Sequence, residues 1–211
     1  MYISEIWRYP IKSMRGEKIP QAEITVNGIP GDREIAVIGP EGRILTSRTK
    51  YKLLGLRGEL STNGLPTING LAWDSAEALR LINEATGGGA HLERIPQPRA
   101  FDILPLLVAT DGAASFLNID HRRLRPNIML ADVPELEERH WPGRTIKIGG
   151  VRILAEQLRD RCVMTTYDPD TLEQDLGVLK SIVSRLGGST ALDCSVITPG
   201  VVRVGDAVEI E

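Results

Sequence analysis

The sequence predicts a mainly β protein of the α+β class, with a β-barrel core and a few peripheral helices. Twenty-one glycines and 13 prolines in 211 residues supply many turns. Short β-rich runs recur at close spacing with turn residues between them, and only two stretches carry a long helical stripe. In order, Ile3–Trp7, Glu23–Val26, Ile35–Ile38 and Ile44–Thr46 read as strands, punctuated by Gly28-Ile29-Pro30-Gly31 and Pro40-Glu41-Gly42. The pair Ile35–Ile38 and Ile44–Thr46 has the look of a hairpin with a longer loop. Leu53–Leu60 predicts another strand. A helix follows: Asp74 and Glu77 stand at capping-box spacing, Ala78, Leu79, Ile82 and Ala85 form its apolar stripe, and Gly87-Gly88-Gly89 ends it. The Pro-containing stretch Ile95–Pro98 divides the chain into halves, residues 1–100 and 101–211.

In the second half, Thr110 or Asp111 caps a short helix through Leu117. Asn127–Ala131 reads as a strand and Pro134–His140 as a short helix. Ile146–Ile148, Gly149-Gly150 and Val151–Ala155 predict a tight hairpin. Leu176, Leu179, Ile182, Val183 and Leu186 mark a helix closed by Gly187-Gly188. Residues 201–210 alternate as a half-buried strand broken at Gly205-Asp206. Trp7, Trp73 and Trp141 read as core or rim aromatics, and Cys194 as an apolar strand residue.

The chain is 42% hydrophobic and 25% charged, with net charge -3. That composition suits a soluble globular protein and excludes disordered, fibrous and membrane classes. Mild acidity argues against a nucleic-acid partner, which needs a clustered positive surface. The N-terminus lacks a hydrophobic signal core, and no run approaches the ~20 apolar residues of a membrane span. We therefore expect a cytoplasmic protein without a membrane partner. In that compartment Cys162 and Cys194 are expected as free thiols. His91, His121 and His140 are too scattered to draw a zinc or iron–sulfur site.

The chemistry centres on Cys162 in Asp160-Arg161-Cys162-Val163-Met164-Thr165-Thr166-Tyr167-Asp168-Pro169. A neighbouring guanidinium favours thiolate over thiol, and thiolate is the form that attacks electrophiles or binds soft metals. Four further clusters join a cation to a hydroxyl, an amide or a turn: Tyr9-Pro10-Ile11-Lys12-Ser13, Gly31-Asp32-Arg33, Leu45-Thr46-Ser47-Arg48 and Leu124-Arg125-Pro126-Asn127. Such groups suit a bound anion, Arg forking onto oxygens and Lys acting as a point charge. Solvated surface charge would explain any one cluster, and a small buried residue would explain Cys162. The five features together favour a binding site. Other signals are weaker: Gly87-Gly88-Gly89 lacks the Gly-Lys-Ser/Thr ending of a phosphate loop, and Ser13, Ser47 and Ser115 have no neighbouring histidine in sequence.

Taken in order, these motifs resemble the MOSC superfamily, named for the C-terminal domain of molybdenum-cofactor sulfurases. The subgroup is the one with an N-terminal β-barrel half, as in mitochondrial amidoxime-reducing components and bacterial relatives. Tyr-Pro-Ile-Lys-Ser, Gly-Asp-Arg and Leu-Thr-Ser-Arg match its first half. Leu-Arg-Pro-Asn-Ile, Trp141-Pro142-Gly143, Ile148-Gly149-Gly150-Val151 and Arg-Cys-Val-Met-Thr-Thr match its second. The resemblance implies a molybdenum cofactor, molybdopterin carrying Mo, between the halves. Lys12, Ser13, Arg33, Ser47 and Arg48 would hold it from the first half and Arg125 and Asn127 from the second, with Thr110 and Asp111 as weaker candidates. It implies Cys162 as the metal ligand, with Arg161 keeping it deprotonated. Two departures stand out: the segment between the Leu56 region and Thr110 is short for the subgroup, and Leu172 stands where the family's Asp-Pro-x-Thr-Gly turn carries glycine.

The implied activity is an oxidoreductase that reduces N-hydroxylated or N-oxide small molecules, with electrons from an external donor protein. The alternative is a sulfur or cofactor carrier that uses a Cys162 persulfide or transient ligand and meets a cofactor-biosynthesis or sulfurase protein. A third reading is a non-enzymatic barrel that binds some other anion.

Overall fold

The computed structural model describes residues 1–96 and 102–211. Its strands are β1 (Tyr2–Arg8), β2 (Glu17–Ile19), β3 (Gln21–Ile24), β4 (Ile35–Ile38), β5 (Ile44–Leu45), β6 (Gly58–Leu60), β7 (Pro66–Ile68), β8 (Leu71–Ala72), β9 (His91–Arg94), β10 (Leu106–Thr110), β11 (Ile128–Ala131), β12 (Thr145–Ile148), β13 (Val151–Asp160), β14 (Ser189–Thr198), β15 (Gly200–Arg203) and β16 (Val208–Ile210). Three α-helices accompany them: α1 (Ala76–Thr86), α2 (Asp111–Leu117) and α3 (Leu176–Leu186). None of the helices among the described residues is long and apolar enough to cross a membrane.

Eight strands form one mixed sheet in the order β16-β12-β13-β14-β10-β11-β1-β2. Only β10 and β11 run parallel, joined by the crossover through α2. The ladder stays open where a barrel was expected. Tyr2 of β1, the strand next to the β2 edge, meets Ala207 just ahead of β16 in an isolated antiparallel bridge. There the Ile3 amide donates to the Asp206 carbonyl (3.0 Å) and the Val208 amide to that of Met1 (3.2 Å). Smaller sheets pair β15 with β3, β5-β4-β9, and β6-β7-β8. Strands from both sides of residue 100 share the large sheet, and β3 pairs with β15 across the same divide. The expected boundary at 100/101 itself lies outside the described residues.

Period-two alternation sorts the large sheet's side chains onto two faces. Leu106 and Val108 of β10, Ile128 and Leu130 of β11, and Leu192 and Cys194 of β14 enter the main core with Trp141. Leu107, Ala109, Met129 and Ala191 point the other way, against Ala114 of α2. All five residues of β10 are buried because both faces are covered. The remaining apolar stripe of the first half, including Ile35, Val37, Leu53, Ala78 and Ile82, closes a second core under α1.

Several expectations are corrected. Leu53–Leu60 is a 3-10 turn at Tyr51–Gly55 followed by β6, because Leu53 and Leu54 both turn inward from a helical backbone. The α1 cap is Ser75, whose hydroxyl accepts from the Ala78 amide (3.1 Å), not Asp74. The helix expected at Pro134–His140 shrinks to the 3-10 turn Glu137–His140, since Leu136 takes a left-handed backbone (φ 61°). Residues 201–210 split into β15 and β16, which belong to different sheets.

Thr110 does cap α2: its hydroxyl accepts from the Ala113 amide and donates to Glu138 Oε2, each at 3.1 Å. Glu138 is fully buried and its Oε1 has no partner. Burial holds this carboxyl above its usual value of 4.5. The folded state therefore binds more protons than the unfolded chain between that value and the raised one, so stability falls as pH rises through this window. Glu138→Gln should therefore stabilise the fold more at about pH 7.5 than near pH 4. Urea unfolding at the two pH values tests this, and a constant difference between them would refute it.

Candidate active site at the junction of the two halves

The cleft is built from strand ends. The loop after β1 brings Lys12 and Ser13, the turn before β4 brings Arg33, and the turn after β5 brings Thr46 and Arg48. From the second half come Arg123–Asn127, which lead into β11, and the β13 end with Arg159, Asp160, Arg161 and Cys162. Asp102, Leu104, Leu107 and Met164 complete the wall. Eight of the eleven residues singled out in the sequence thus meet here.

Three do not. Ser47 is fully buried behind the wall, its hydroxyl without a partner. Thr110 is the α2 cap. Asp111 accepts from the Asp132 (2.9 Å) and Val133 (3.1 Å) amides.

The frame of the site is a buried polar network. Asp32 is fully buried, and its Oδ1 accepts from the Tyr9 amide at 2.7 Å. Its Oδ2 pairs with Arg33 and accepts from Asn127 Nδ2 at 3.2 Å. Asn127 Oδ1 in turn accepts from the Leu107 amide (3.2 Å) and Arg33 Nη1 (3.3 Å). Tyr9 donates its hydroxyl to the Pro126 carbonyl at 3.1 Å, and burial pushes that phenol up to about 12. Both Arg33 and Arg125 pack on its ring, their guanidinium carbons 4.9 and 4.4 Å from the centroid. Tyr9 and Asp32 were visible only as neighbours of the cations in their motifs; nothing in the sequence marked them as the groups that hold those cations.

Seven cations line the cleft, Lys12, Arg33, Arg48, Arg123, Arg125, Arg159 and Arg161, against Asp102 and Asp160. Several are neutralised from behind. Arg159 Nε donates to the fully buried Asp193 at 2.6 Å, and Arg123 holds the Asp168 carboxylate at 3.1 Å. Burial draws Arg125 and Arg161 down to about 10, which leaves both cationic at neutral pH. Arg161 Nη2 donates to the Leu124 carbonyl (2.7 Å), while its buried Nε has no partner. Cys162 is partly exposed and caps the 3-10 turn Val163–Thr166, its carbonyl accepting from the Thr165 amide (3.1 Å) and hydroxyl (2.9 Å). Cys194 is fully buried in β14, and burial pushes its thiol up.

This donor-rich wall around one thiol, with an unpartnered guanidinium N–H, suits a ligand rich in anionic and acceptor atoms. Among the described residues no three His, Cys, Asp or Glu side chains stand together as a metal cluster. A metal held here would need ligands of its own besides a cysteine thiolate, which is the donor set of a pterin dithiolene.

Comparisons with known proteins agree with this architecture. Residues 1–83 match the MOSC N-terminal beta barrel domain, and residues 106–209 match the MOSC domain. Mitochondrial amidoxime reducing component 2 of Homo sapiens is 26% identical, the alignment covering 98% of this chain and 82% of that one. Mitochondrial amidoxime-reducing component 1 of Mus musculus is also 26% identical, over 98% and 81%. The human alignment runs to 277 positions, longer than the present chain, so that relative carries insertions here. The YuaD protein of Bacillus subtilis shares the fold, with TM-score 0.53 and 17% identity over 99% of this chain and 94% of its own.

The network predicts a large cost for Asp32→Ala. Losing the carboxylate strands Arg33 and the Tyr9 amide, and should cost roughly 3 kcal/mol or more in chemical denaturation. A loss below about 1 kcal/mol, the worth of an ordinary hydrogen bond, would mean the network does not hold the site together.

Proposed function

The chain belongs to the MOSC family, in its form with an N-terminal β-barrel part, and from that premise we propose that it binds a molybdenum cofactor and acts as an oxidoreductase on N-hydroxylated or N-oxide compounds. The observation that carries this reading is the convergence of Cys162 with Lys12, Ser13, Arg33, Arg48, Arg125 and Asn127 at one cleft. The names of the relatives support the reaction class.

Cys162 is the metal ligand, its thiolate matched to a soft, high-valent centre. Arg161, two hydrogen bonds of the Cys162 carbonyl and the following 3-10 turn fix where that sulfur points. Lys12, Arg33, Arg48 and Arg125 hold the anionic part of the cofactor, and Ser13 and Asn127 orient it. When bound, such a cofactor supplies oxygen-atom transfer from the substrate, a two-electron reduction that releases water and draws its electrons from a separate donor protein. The remaining cations offset negative charge that develops near the transferred oxygen. Partial exposure of Cys162 also suits a second reading, in which the same sulfur carries a persulfide to an acceptor.

Molybdenum per protein and released pterin fluorescence, on protein from a cofactor-competent host, separate the readings. The oxidoreductase predicts near-stoichiometric metal and pterin, and loss of turnover with amidoximes in Cys162→Ser. Neither metal nor pterin, in a host that loads another molybdenum enzyme, would overturn it; a cyanide-labile sulfur on Cys162 would then favour the carrier. Arg125→Ala should lower pterin content several-fold while far-UV circular dichroism stays unchanged, because Arg125 stacks on Tyr9 and carries no carboxylate of the frame.

A further inference from the structure

One carboxylate already occupies the cation-rich cleft. Asp102 Oδ1 lies 2.6 Å from Lys12 Nζ, and its Oδ2 lies 3.5 Å from Arg48 Nη2 and 4.0 Å from Arg159 Nη1. The three cations come from separate places, the loop after β1, the turn after β5 and strand β13. We propose that Asp102 is an internal anion seated where an external oxyanion binds, and that ligand loading exchanges the one for the other. The proposal rests on the reading above only in taking the cleft as an anion site.

Three observations carry it. First, the cleft calls for a negative charge. Lys12 is drawn down by burial and raised again by Asp102, while Asp102 is held below the usual carboxylate range by Lys12 and Arg48 despite its own burial. Second, the pair is asymmetric. The Lys12 side chain is 11% exposed and that of Asp102 41%, so the cation is fixed in the wall and the anion sits at the mouth. Third, Asp102 stands on the bend 102–105 ahead of β10, outside every strand ladder, and can leave without breaking one. A phosphate oxygen that reached Lys12, Arg48 and Arg159 with Asp102 in place would bring two like charges onto the same donors, at a cost that excludes joint occupancy.

Asp102→Asn keeps the shape and removes the charge. With inorganic phosphate as the probe in calorimetry, the variant should bind roughly tenfold more tightly than the wild type, the effect of deleting one competing charge-assisted contact. Without phosphate its Tm should be lower, and phosphate should restore it. Equal phosphate affinity in the two proteins would overturn the proposal, as would tighter binding that survives the added change Arg48→Gln. The wild type supplies a test that does not depend on the variant's folding: saturating phosphate should shift the Asp102 carboxyl resonance in isotope-labelled protein, and an unmoved resonance refutes exchange. Neither readout involves molybdenum. Missing cofactor leaves this proposal standing, and equal phosphate affinity leaves the cofactor reading standing.

Discussion

The buried carboxylate of Asp32 is the constraint on which the site depends. It accepts from the Tyr9 amide at the end of β1, pairs with Arg33 ahead of β4 and accepts from Asn127 ahead of β11. An ionised carboxylate taken out of water is tolerated only when its oxygens are fully engaged, so these partners are obliged to converge. Asn127 transmits the constraint further, because its backbone accepts from Trp7 (2.8 Å) and donates to Leu107 (2.7 Å). One charge thereby fixes the separation of β1, β10 and β11, and with it the positions of Lys12, Arg33 and Arg125 around the cleft.

Much of the β framework was legible because its physics is local. The continuous apolar run of β4, the alternation along β12 and β13, the Gly149-Gly150 turn and the glycine ends of α1 and α3 all follow from neighbours in sequence. Cys194 likewise fits the inward register of β14. Pairings beyond the two local hairpins were not legible: β2, β7, β8 and β9 are strands of two to four residues that exist because a partner lies alongside. The basic clusters were visible as motifs, yet the groups that set their charge were not. Asp102, Asp193 and Asp168 lie far along the chain from Lys12, Arg159 and Arg123, and no spacing in the sequence ties each to its cation.

Backbone strain gathers at the same place. Ser13 (φ 71°), Arg33 (φ 53°) and Arg125 (φ 57°) all adopt the left-handed region that side chains disfavour. Each costs on the order of 1 kcal/mol, offset by the packing of Tyr9 and the hydrogen bonds of Asp32 and Asn127. Leu172 belongs to the same class (φ 62°). Its place in the turn is one where the family resemblance called for glycine, and the dihedral explains that preference. The leucine side chain instead packs over Gly55, whose missing Cβ leaves room for it.

The pairing of β1 also governs how this chain can be made. Ile6 finds its partner at Ile128, and Tyr2 meets Ala207 near the opposite terminus. β1 is synthesised well before β11, and the strand has no long-range partner until the second half has followed. Ile3 and Ile6, both fully buried at the end, travel that interval with an open strand edge and exposed apolar groups. Pairing across so long a stretch of chain favours slow folding, and β1 is exposed to aggregation during that wait.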